Sequence, residues 1–328
     1  MNNLVIVNNY ATYGEAGLKS NQIIYYKEDD FFKMRTNLAD DPFAPSEVVT
    51  LVKEGAGGGG LEAVIAGKST HWSIPSDITT IPAYLLAGVS NLESVSFEHT
   101  IGISSYAFTN SHVSRINSEE EGTIDLSNVG ATQGYVFEKA SGIKKVIIDT
   151  NKMNRISYRD FALSSVEEVV FVGNKLQCIF PQAFQGSSLK KIDLSAHTSL
   201  PNPYVNPHGI MTMAFDSCSQ LTEIKLPSSL QSIDNGLISN CTSLTYIDIP
   251  TNCSSISSGA FTNTPLEIVN FGNTRTTIPT ITTTSFTIGE NTKFVVPDAK
   301  YDKWKAANVW KTAGIVEHIY PYSEIYNE

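Results

Sequence analysis

The chain has 328 residues, of which 41% are hydrophobic and 17% charged, and its formal net charge is −10. The acidic balance argues against a nucleic-acid partner, because phosphate binding needs clustered Lys and Arg. No stretch approaches the roughly 18 apolar residues of a membrane-spanning helix, and no Cys or His spacing resembles a zinc site. We therefore expect a folded protein with no nucleic-acid partner, no membrane insertion, no metal and no cofactor.

Residues 1–54 form a small N-terminal segment ahead of the repetitive part of the chain. Its apolar run 4–7 is strand-like, but it is too short for a signal-peptide core and no basic stretch precedes it. We therefore expect no conventional export signal. The segment is either an anchoring or docking unit that binds a partner or a mobile, partly ordered terminus. Residues 55–60 (GAGGGG) predict a flexible linker to the repeats.

Self-similarity dominates the chain from residue 61 to residue 296. Residues 209–227 and 232–250 align without gaps, and Phe215 matches Ile238 in that alignment. A large apolar residue recurs in this position along the chain, which indicates a stacked solenoid of about nine units with a shared core. The recurring residues are Leu86, Phe108, Phe137, Phe161, Phe184, Phe215, Ile238, Phe261 and Phe286.

The spacing of these residues locates two insertions. Four intervals are 22 or 23 residues, and the others run from 24 to 31. The longer intervals coincide with the acidic stretch 119–121 and with residues 197–207. Insertions in a solenoid must loop out of the stack, so both are expected on the surface.

The second half of each unit reads L-x-x-I-x-L, as in Leu244, Ile247 and Ile249. Its last two apolar residues flank a residue that is usually polar, which is the period of a half-buried strand. We therefore expect one short strand per unit, stacked into a parallel ladder, with short helical turns on the other side. The fold class predicted is mainly β.

The outward residues of this ladder have two interpretations. Charges alternate in sign from rung to rung, and opposite charges on adjacent strands stabilise a sheet by roughly 0.2–1 kcal/mol each. The ladder is then a self-compensated surface that fixes register. Alternatively it is a recognition face, with Ile147, Val170, Tyr246 and Ile268 as apolar anchors. The candidate face comprises Ile147, Val170, Lys191, Asp193, Glu223, Lys225, Tyr246, Asp248 and Ile268.

Residues 297–328 predict a C-terminal helical cap. Asp298 is the expected helix N-cap, and Tyr301, Trp304 and Ala307 share one helix face that covers the last repeat. A sugar-stacking role for Trp304 or Trp310 is the alternative.

The Ala-Phe dipeptides at Phe108, Phe184, Phe215 and Phe261, followed by L-x-x-I-x-L, resemble the BspA-like leucine-rich repeat. The resemblance covers residues 61–296. It implies a leucine-rich-repeat solenoid used for surface recognition or adhesion. The tail 292–325 and the linker 55–60 are similar to segments of bacteriophage and prophage virion proteins.

These resemblances lead to two functional expectations. The first is a non-enzymatic bacteriophage virion protein, a head or tail fibre or decoration. Its N-terminal segment would contact other virion proteins, and its solenoid a host-surface protein or glycan. The alternative is a bacterial cell-surface adhesin. Self-association into a homo-oligomer stays open.

Catalysis has no support in the sequence. Gly67-Lys68-Ser69 ends like a phosphate-binding loop, but Glu62 stands where the first glycine belongs, and its carboxylate would repel phosphate. The histidines are scattered, no Gly-x-Ser-x-Gly elbow occurs, and the four cysteines are expected to be buried free thiols. For the acidic stretch 119–121 a solvated loop is favoured over a metal site.

Overall fold

A computed structural model describes residues 3–7, 22–28, 31–37, 49–53, 61, 64, 69–76, 78–198, 200 and 209–326. In residues 1–54 these include four strands in one sheet. With strands numbered in chain order, they are β1 (Asn3–Val7), β2 (Gln22–Glu28), β3 (Phe31–Asn37) and β4 (Val49–Lys53). β1 pairs parallel to β2, whereas β2, β3 and β4 are antiparallel. The predicted linker 55–60 lies outside the described residues.

The predicted parallel ladder is present and forms one side of the solenoid. Eight of its strands make one sheet, in which each central apolar side chain points into the core and its neighbours point outward. The eight are β5 (His71–Ser73), β7 (Ser94–Ser96), β9 (Arg115–Ile116), β10 (Thr123–Asp125), β12 (Lys145–Asp149), β14 (Glu168–Val172), β16 (Lys191–Asp193) and β18 (Glu223–Lys225).

Four further strands continue the ladder towards the C-terminus. They are β20 (Tyr246–Asp248), β22 (Ile268–Asn270), β23 (Lys293–Val296) and β24 (Ile319–Pro321), and their pairing is parallel throughout. The outward side of these twelve strands is called the strand face below.

Most turns also contribute a second strand of two to four residues, so the expectation of one strand per unit was wrong. These strands pair in parallel on another side of the solenoid. Most are two residues long and hold one apolar side chain, which gives no alternation for sequence to reveal. They are β6 (Thr80–Ile81), β8 (Ile101–Ile103), β11 (Val129–Thr132), β13 (Arg155–Ile156), β15 (Cys178–Ile179), β17 (Gly209–Ile210), β19 (Ser232–Ile233) and β21 (Ser255–Ile256).

The segment around each recurring Phe closes the turn, and we call it the Phe turn. At every recurring position except Phe286, the residues two before and two after it take left-handed φ angles, as at Arg159 (53°) and Leu163 (57°) around Phe161. Alternate N–H groups therefore reach the next turn, as from Phe161 N to Ala183 O (2.8 Å) and from Leu163 N to Gln185 O (2.7 Å). This backbone ladder holds successive turns at a fixed spacing.

The predicted repeat core is a stack of parallel rings along the solenoid axis. Phe108, Phe137, Phe161, Phe184 and Phe215 follow one another at centroid distances of 5.2–5.6 Å. After the gap filled by Ile238, Phe261 and Phe286 stack at 5.0 Å. Phe286 is 9% exposed and the others are fully buried.

Between Phe108 and Phe137, one rung of the strand ladder has no Phe turn of its own. Between Phe108 and Phe137 the chain forms both β9 and β10, which are joined by residues 117–122, the crossover loop. The two rings still stack at 5.2 Å. Over this stretch the strand face therefore has one strand more than the stack of Phe rings requires. We call this strand the extra rung, and it adds about 4.8 Å to the sheet.

The two insertions differ in how they meet the solenoid. Glu119, Glu120 and Glu121 are exposed, as predicted. His197 and Leu200, at the start of the second insertion, are instead buried, and the His197 ring packs edge-on to Phe171 at 4.8 Å. The apolar contact with Phe171 explains why this end folds inward. Residues 201–208 lie outside the described part.

The C-terminal cap contains three short helices, α1 (Tyr301–Ala306), α2 (Asn308–Thr312) and α3 (Tyr322–Tyr326). Trp304 and Trp310 are buried against Phe271 and Phe294, which excludes the sugar-stacking alternative for both indoles.

Asp298 does not cap α1, contrary to expectation. Its carboxylate instead accepts bonds from the backbone N–H (2.9 Å) and hydroxyl (3.0 Å) of Ser323, in the first turn of α3. The backbone hydrogen bond from Ser323 holds the pKa of Asp298 below its usual value. Sequence spacing favoured the nearer helix, whereas the fold brings the distant one to this carboxylate.

Candidate functional site on the strand face

The strand face changes its chemistry along its length. Its centre is apolar, a charged network follows towards the C-terminus, and a tyrosine cluster closes that end. At the N-terminal end small polar residues line a pocket. Each zone comes from outward positions of strands whose inward positions build the core.

The central zone is the apolar patch, formed by Ile147, Val170 and Val172. Ile147 pairs with Val170 across β12 and β14, and Asp149 pairs with Val172. Val172 is 47% exposed, which is high for an aliphatic side chain on a paired strand. The fold thus brings together the two predicted anchors Ile147 and Val170, and it adds Val172, which sequence reasoning missed.

The charged network lies on β16 and β18, where sequence placed alternating signs. Lys191 Nζ is 3.2 Å from Glu223, and Lys225 Nζ is 3.2 Å from Asp193 and 3.6 Å from Glu223. These side chains are about half exposed, so their ion pairs are screened and individually weak.

The network perturbs the pKa values of its members. The hydrogen bond and charge of Lys191 lower the pKa of Glu223, and Asp193 raises the pKa of Lys225. Burial opposes ionisation of Asp193, but hydrogen bonds from Ser195 and Lys225 outweigh it and lower the pKa of Asp193. The contacts favour the interpretation in which charge fixes register here, because each rung neutralises its neighbour.

Lys145 does not extend this network towards the N-terminus. Its ammonium lies 3.7 Å from Glu120 of the crossover loop, although Lys145 pairs in register with Glu168. Among the described residues, Glu168 lies in register between Lys145 and Lys191 but forms no ion pair with either, so the charged network stops at β16.

The C-terminal end is built around Tyr246, which is 39% exposed. Its hydroxyl donates to Asp248 (2.7 Å), and the Asn270 amide donates to the same carboxylate (2.8 Å). Tyr326 of α3 lies 3.4 Å away, hydroxyl to hydroxyl. Burial, together with the hydrogen bonds to Tyr326 and Asp248, raises the pKa of Tyr246. Ile268 pairs with Tyr246 in register, so the fold brings together three residues of the predicted face, Tyr246, Asp248 and Ile268.

The N-terminal end holds a pocket that sequence analysis did not identify. It has a volume of about 370 Å³ and is lined by β5, β7, β9 and the crossover loop. His71 Nδ1 lies 2.8 Å from Ser94 Oγ, and His71 Nε2 lies 3.3 Å from Ser96 Oγ. The available signal was the run of small hydroxyl residues at outward positions of the first rungs, where later rungs carry larger side chains.

The described residues contain no grouping of three or more His, Cys, Asp or Glu side chains that would suit a metal ion. The acidic crossover loop is instead tied to neighbouring cations, with Glu121 3.5 Å from Arg115. The four thiols are free and buried, as expected. None of the helices in the described ranges has the length and apolar character needed to cross a bilayer.

The family comparison accounts for the solenoid. The family model for the BspA type leucine-rich repeat region matches in six copies over residues 66–129, 123–208 and 205–292, more than half of the chain. The chain belongs to the BspA-type leucine-rich-repeat family. No curated protein matches its sequence.

Several solved structures of leucine-rich repeat proteins are similar to this chain. A leucine-rich repeat protein from Eubacterium ventriosum is 16% identical over 88% of this chain and 62% of its own, with a TM-score of 0.41. One from Bacteroides ovatus is 16% identical over 84% and 59%, with a TM-score of 0.42. This chain therefore spans about 60% of their lengths. A leucine-rich cell surface protein from Faecalibacterium prausnitzii is 15% identical over 86% and 97%, with a TM-score of 0.30. Likeness at this level does not extend to function.

Proposed function

We propose that this chain is a non-enzymatic recognition protein of the adhesin type, which binds a macromolecular partner through its strand face. The apolar patch carries the proposal. Val172 is 47% exposed beside Ile147 and Val170, and charged clusters flank the three on both sides. An apolar centre inside a polar rim is the usual anatomy of a protein interface. The surface role implied by BspA-like repeats supports the same conclusion.

The two interpretations of the ladder then apply to different parts of it. The charged network on β16 and β18 neutralises itself and fixes register. The apolar patch has no such internal partner, and its side chains stand on β12 and β14, two of the longest strands of the ladder. A rigid sheet presents these anchors without a large ordering cost on binding.

A charge placed in the patch tests the proposal. Val170→Glu sets a carboxylate among apolar neighbours, and a partner covering it would bury an unpaired charge. The assay is flow cytometry of the fluorescently labelled chain on cultured epithelial cells and on matrix-coated beads. Saturable wild-type binding that Val170→Glu weakens by about tenfold or more is expected, since 1.4 kcal/mol is tenfold in affinity.

Leu163→Glu is the matched control. Leu163 is 48% exposed, so a carboxylate there is at least as accessible as at Val170, but it lies on a Phe turn and not on the strand face. The variant should bind like the wild type. Equal losses in both variants, or none in Val170→Glu, would contradict a binding role for the patch.

A virion component is the second candidate. The likeness of residues 292–325 and 55–60 to segments of phage proteins supports it, with residues 1–54 as the part that contacts other virion proteins. The family match adds nothing specific to virus particles, so the surface role ranks first. Quantitative mass spectrometry of envelope fractions and purified virus particles from the source organism separates them. Enrichment in the envelope supports an adhesin, whereas a fixed copy number per particle supports a virion protein.

A further inference from the structure

The pocket at the N-terminal end of the strand face has a structural origin in the extra rung. β9 and β10 are parallel neighbours, so the crossover loop must return from the end of one to the start of the other. Ser118 and Glu119 of the loop line the same pocket as His71 and Ser94, which places the loop over the outward side of the sheet. The loop therefore forms one wall, and the strands form the floor.

The floor is made of small polar side chains with fixed orientations. His71 lies between Ser94 and Ser96, and the Ser96 hydroxyl also donates to Ser73 (3.4 Å). A serine hydroxyl has one donor and two acceptor sites, so this chain of contacts leaves hydrogen-bonding capacity at the pocket surface. At the position equivalent to Ser96, β12 and β14 carry Ile147 and Val170, which would fill the space.

Strand β9 and the crossover loop add a donor and an acceptor, Arg115 on the strand and Glu119 on the loop. Arg115 Nε lies 3.5 Å from Glu121 but makes no hydrogen bond among the described residues, because the contact is long and poorly aligned. Glu119 faces the same space as an acceptor. A second cavity of about 600 Å³ continues along the strand ends and shares Ser96 with the first.

Charge on the lining of the two cavities disfavours an anionic ligand. Glu119 lines the first cavity, and Glu98 and Asp125 line the second, against Arg115 as the lining cation. Glu120 and Glu121 of the loop line neither cavity and pair with Lys145 and Arg115. An anion would meet an excess of negative charge. A hydroxyl-rich neutral molecule meets donors and acceptors of suitable spacing in a volume typical of ligand sites.

We propose that this pocket binds a neutral glycan, with one sugar residue on the Ser94–Ser96 floor under the crossover loop and the next in the adjoining cavity. This inference rests on the proposed function, since it names a ligand class for one end of the same face.

The test is a glycan array of neutral, sialylated and sulfated oligosaccharides, probed with the full chain. Titration calorimetry with the neutral oligosaccharide that gives the highest signal then compares variants. Ser96→Leu fills the floor and is expected to weaken binding by at least about tenfold. The fold should tolerate it, because Val170 is an aliphatic residue at the equivalent position of β14. Glu119→Gln removes the charged acceptor at the exposed loop and should also weaken binding.

Two controls locate the effect. Ser228→Leu makes the same change at an exposed serine distant in the chain from the pocket, and Val170→Glu alters the patch used for the cell-binding test. Both should leave glycan affinity within about twofold of the wild type. Circular dichroism melts confirm that each variant is folded.

The proposal is overturned by an array on which no glycan binds, by binding restricted to sialylated or sulfated glycans, or by unchanged affinity in folded Ser96→Leu. Glycan binding lost in Val170→Glu but kept in Ser96→Leu would also overturn it, by moving the site to the patch. Cell binding that fails while the glycan result holds would contradict the proposed function and leave the pocket assignment intact.

Discussion

Phe161 is the position at which the stacked core can be tested most directly. Its ring is fully buried and stacks on Phe137 at 5.5 Å and on Phe184 at 5.3 Å, with interplanar angles of 8° and 9°. Phe161→Ala removes both contacts at once. The backbone hydrogen bond from Phe161 N to Ala183 O (2.8 Å) fixes the spacing of the neighbouring turns, so these turns cannot move together to fill the cavity.

The expected loss is in the upper part of the usual range. Truncation of a buried Phe costs about 3–5 kcal/mol through lost burial and the remaining cavity, and each ring pair adds about 0.5–1.5 kcal/mol beyond its area. We expect about 4–5 kcal/mol for Phe161→Ala. Phe286→Ala should lose at least about 1 kcal/mol less, because Phe286 is 9% exposed and stacks in parallel on Phe261 alone.

Guanidinium unfolding monitored by two probes measures the loss of unfolding free energy in Phe161→Ala and in Phe286→Ala. Far-UV circular dichroism reports the whole ladder, whereas fluorescence reports Trp72 at one end and Trp304 and Trp310 at the other. Repeat arrays are held together by nearest-neighbour contacts, so a break at Phe161 should separate the two transitions. A loss below about 1.5 kcal/mol with coincident transitions, or an equal loss in Phe286→Ala, would refute the reasoning.

Three further predictions test single sites. Gly142→Ala should destabilise the chain by about 1–3 kcal/mol in a thermal or denaturant melt, because its Cβ would lie 2.7 Å from the backbone oxygen of Val113. Burial raises the pKa of Asp160 to about 6 despite a hydrogen bond from Thr132. The folded state thus keeps a proton that the unfolded chain releases, and stability should fall by up to about 3 kcal/mol as pH rises from about 4 to 6. Asp160→Asn should lack this component in denaturant titrations across that range. Burial raises the pKa of Cys218 to about 12, so the buried thiols should resist a thiol reagent at pH 8 until the chain is unfolded.

The repeat core and the strand ladder could be predicted because their signals recur. A large apolar residue that recurs at intervals of 22 to 31 residues marks the Phe turns, and the L-x-x-I-x-L pattern marks the strands. The left-handed residues beside each Phe escaped detection because they vary in type, as Arg159, Met213 and Asn240 illustrate. Their conformation is imposed by the backbone ladder between turns and not by local preference.

Contacts between distant parts of the chain could not be predicted. Tyr326 reaches Tyr246 across 80 residues, because β24 and α3 continue the ladder and fold back over its last rungs. Asp298 bonds to Ser323 for the same reason. Neither pairing leaves a periodic trace, so sequence reasoning assigned Asp298 to the adjacent helix and treated Tyr246 as an open anchor.

The extra rung shows why a break in the repeat matters more for function than the repeat itself. In a regular array each unit adds one ladder strand and one Phe turn, so the strand face and the stack of Phe rings lengthen by the same number of units. Between Phe108 and Phe137 the strand face gains β9 and β10 while the rings stay stacked at 5.2 Å. Ile116 and Ile124 of the two strands are both buried in the core, which leaves no room there for the connection between them. Residues 117–122 therefore cross the outward side, where they wall the pocket beside Ser94 and Ser96. The long interval that marks an insertion in sequence thus marks, in three dimensions, the place where the uniform face acquires a concave site.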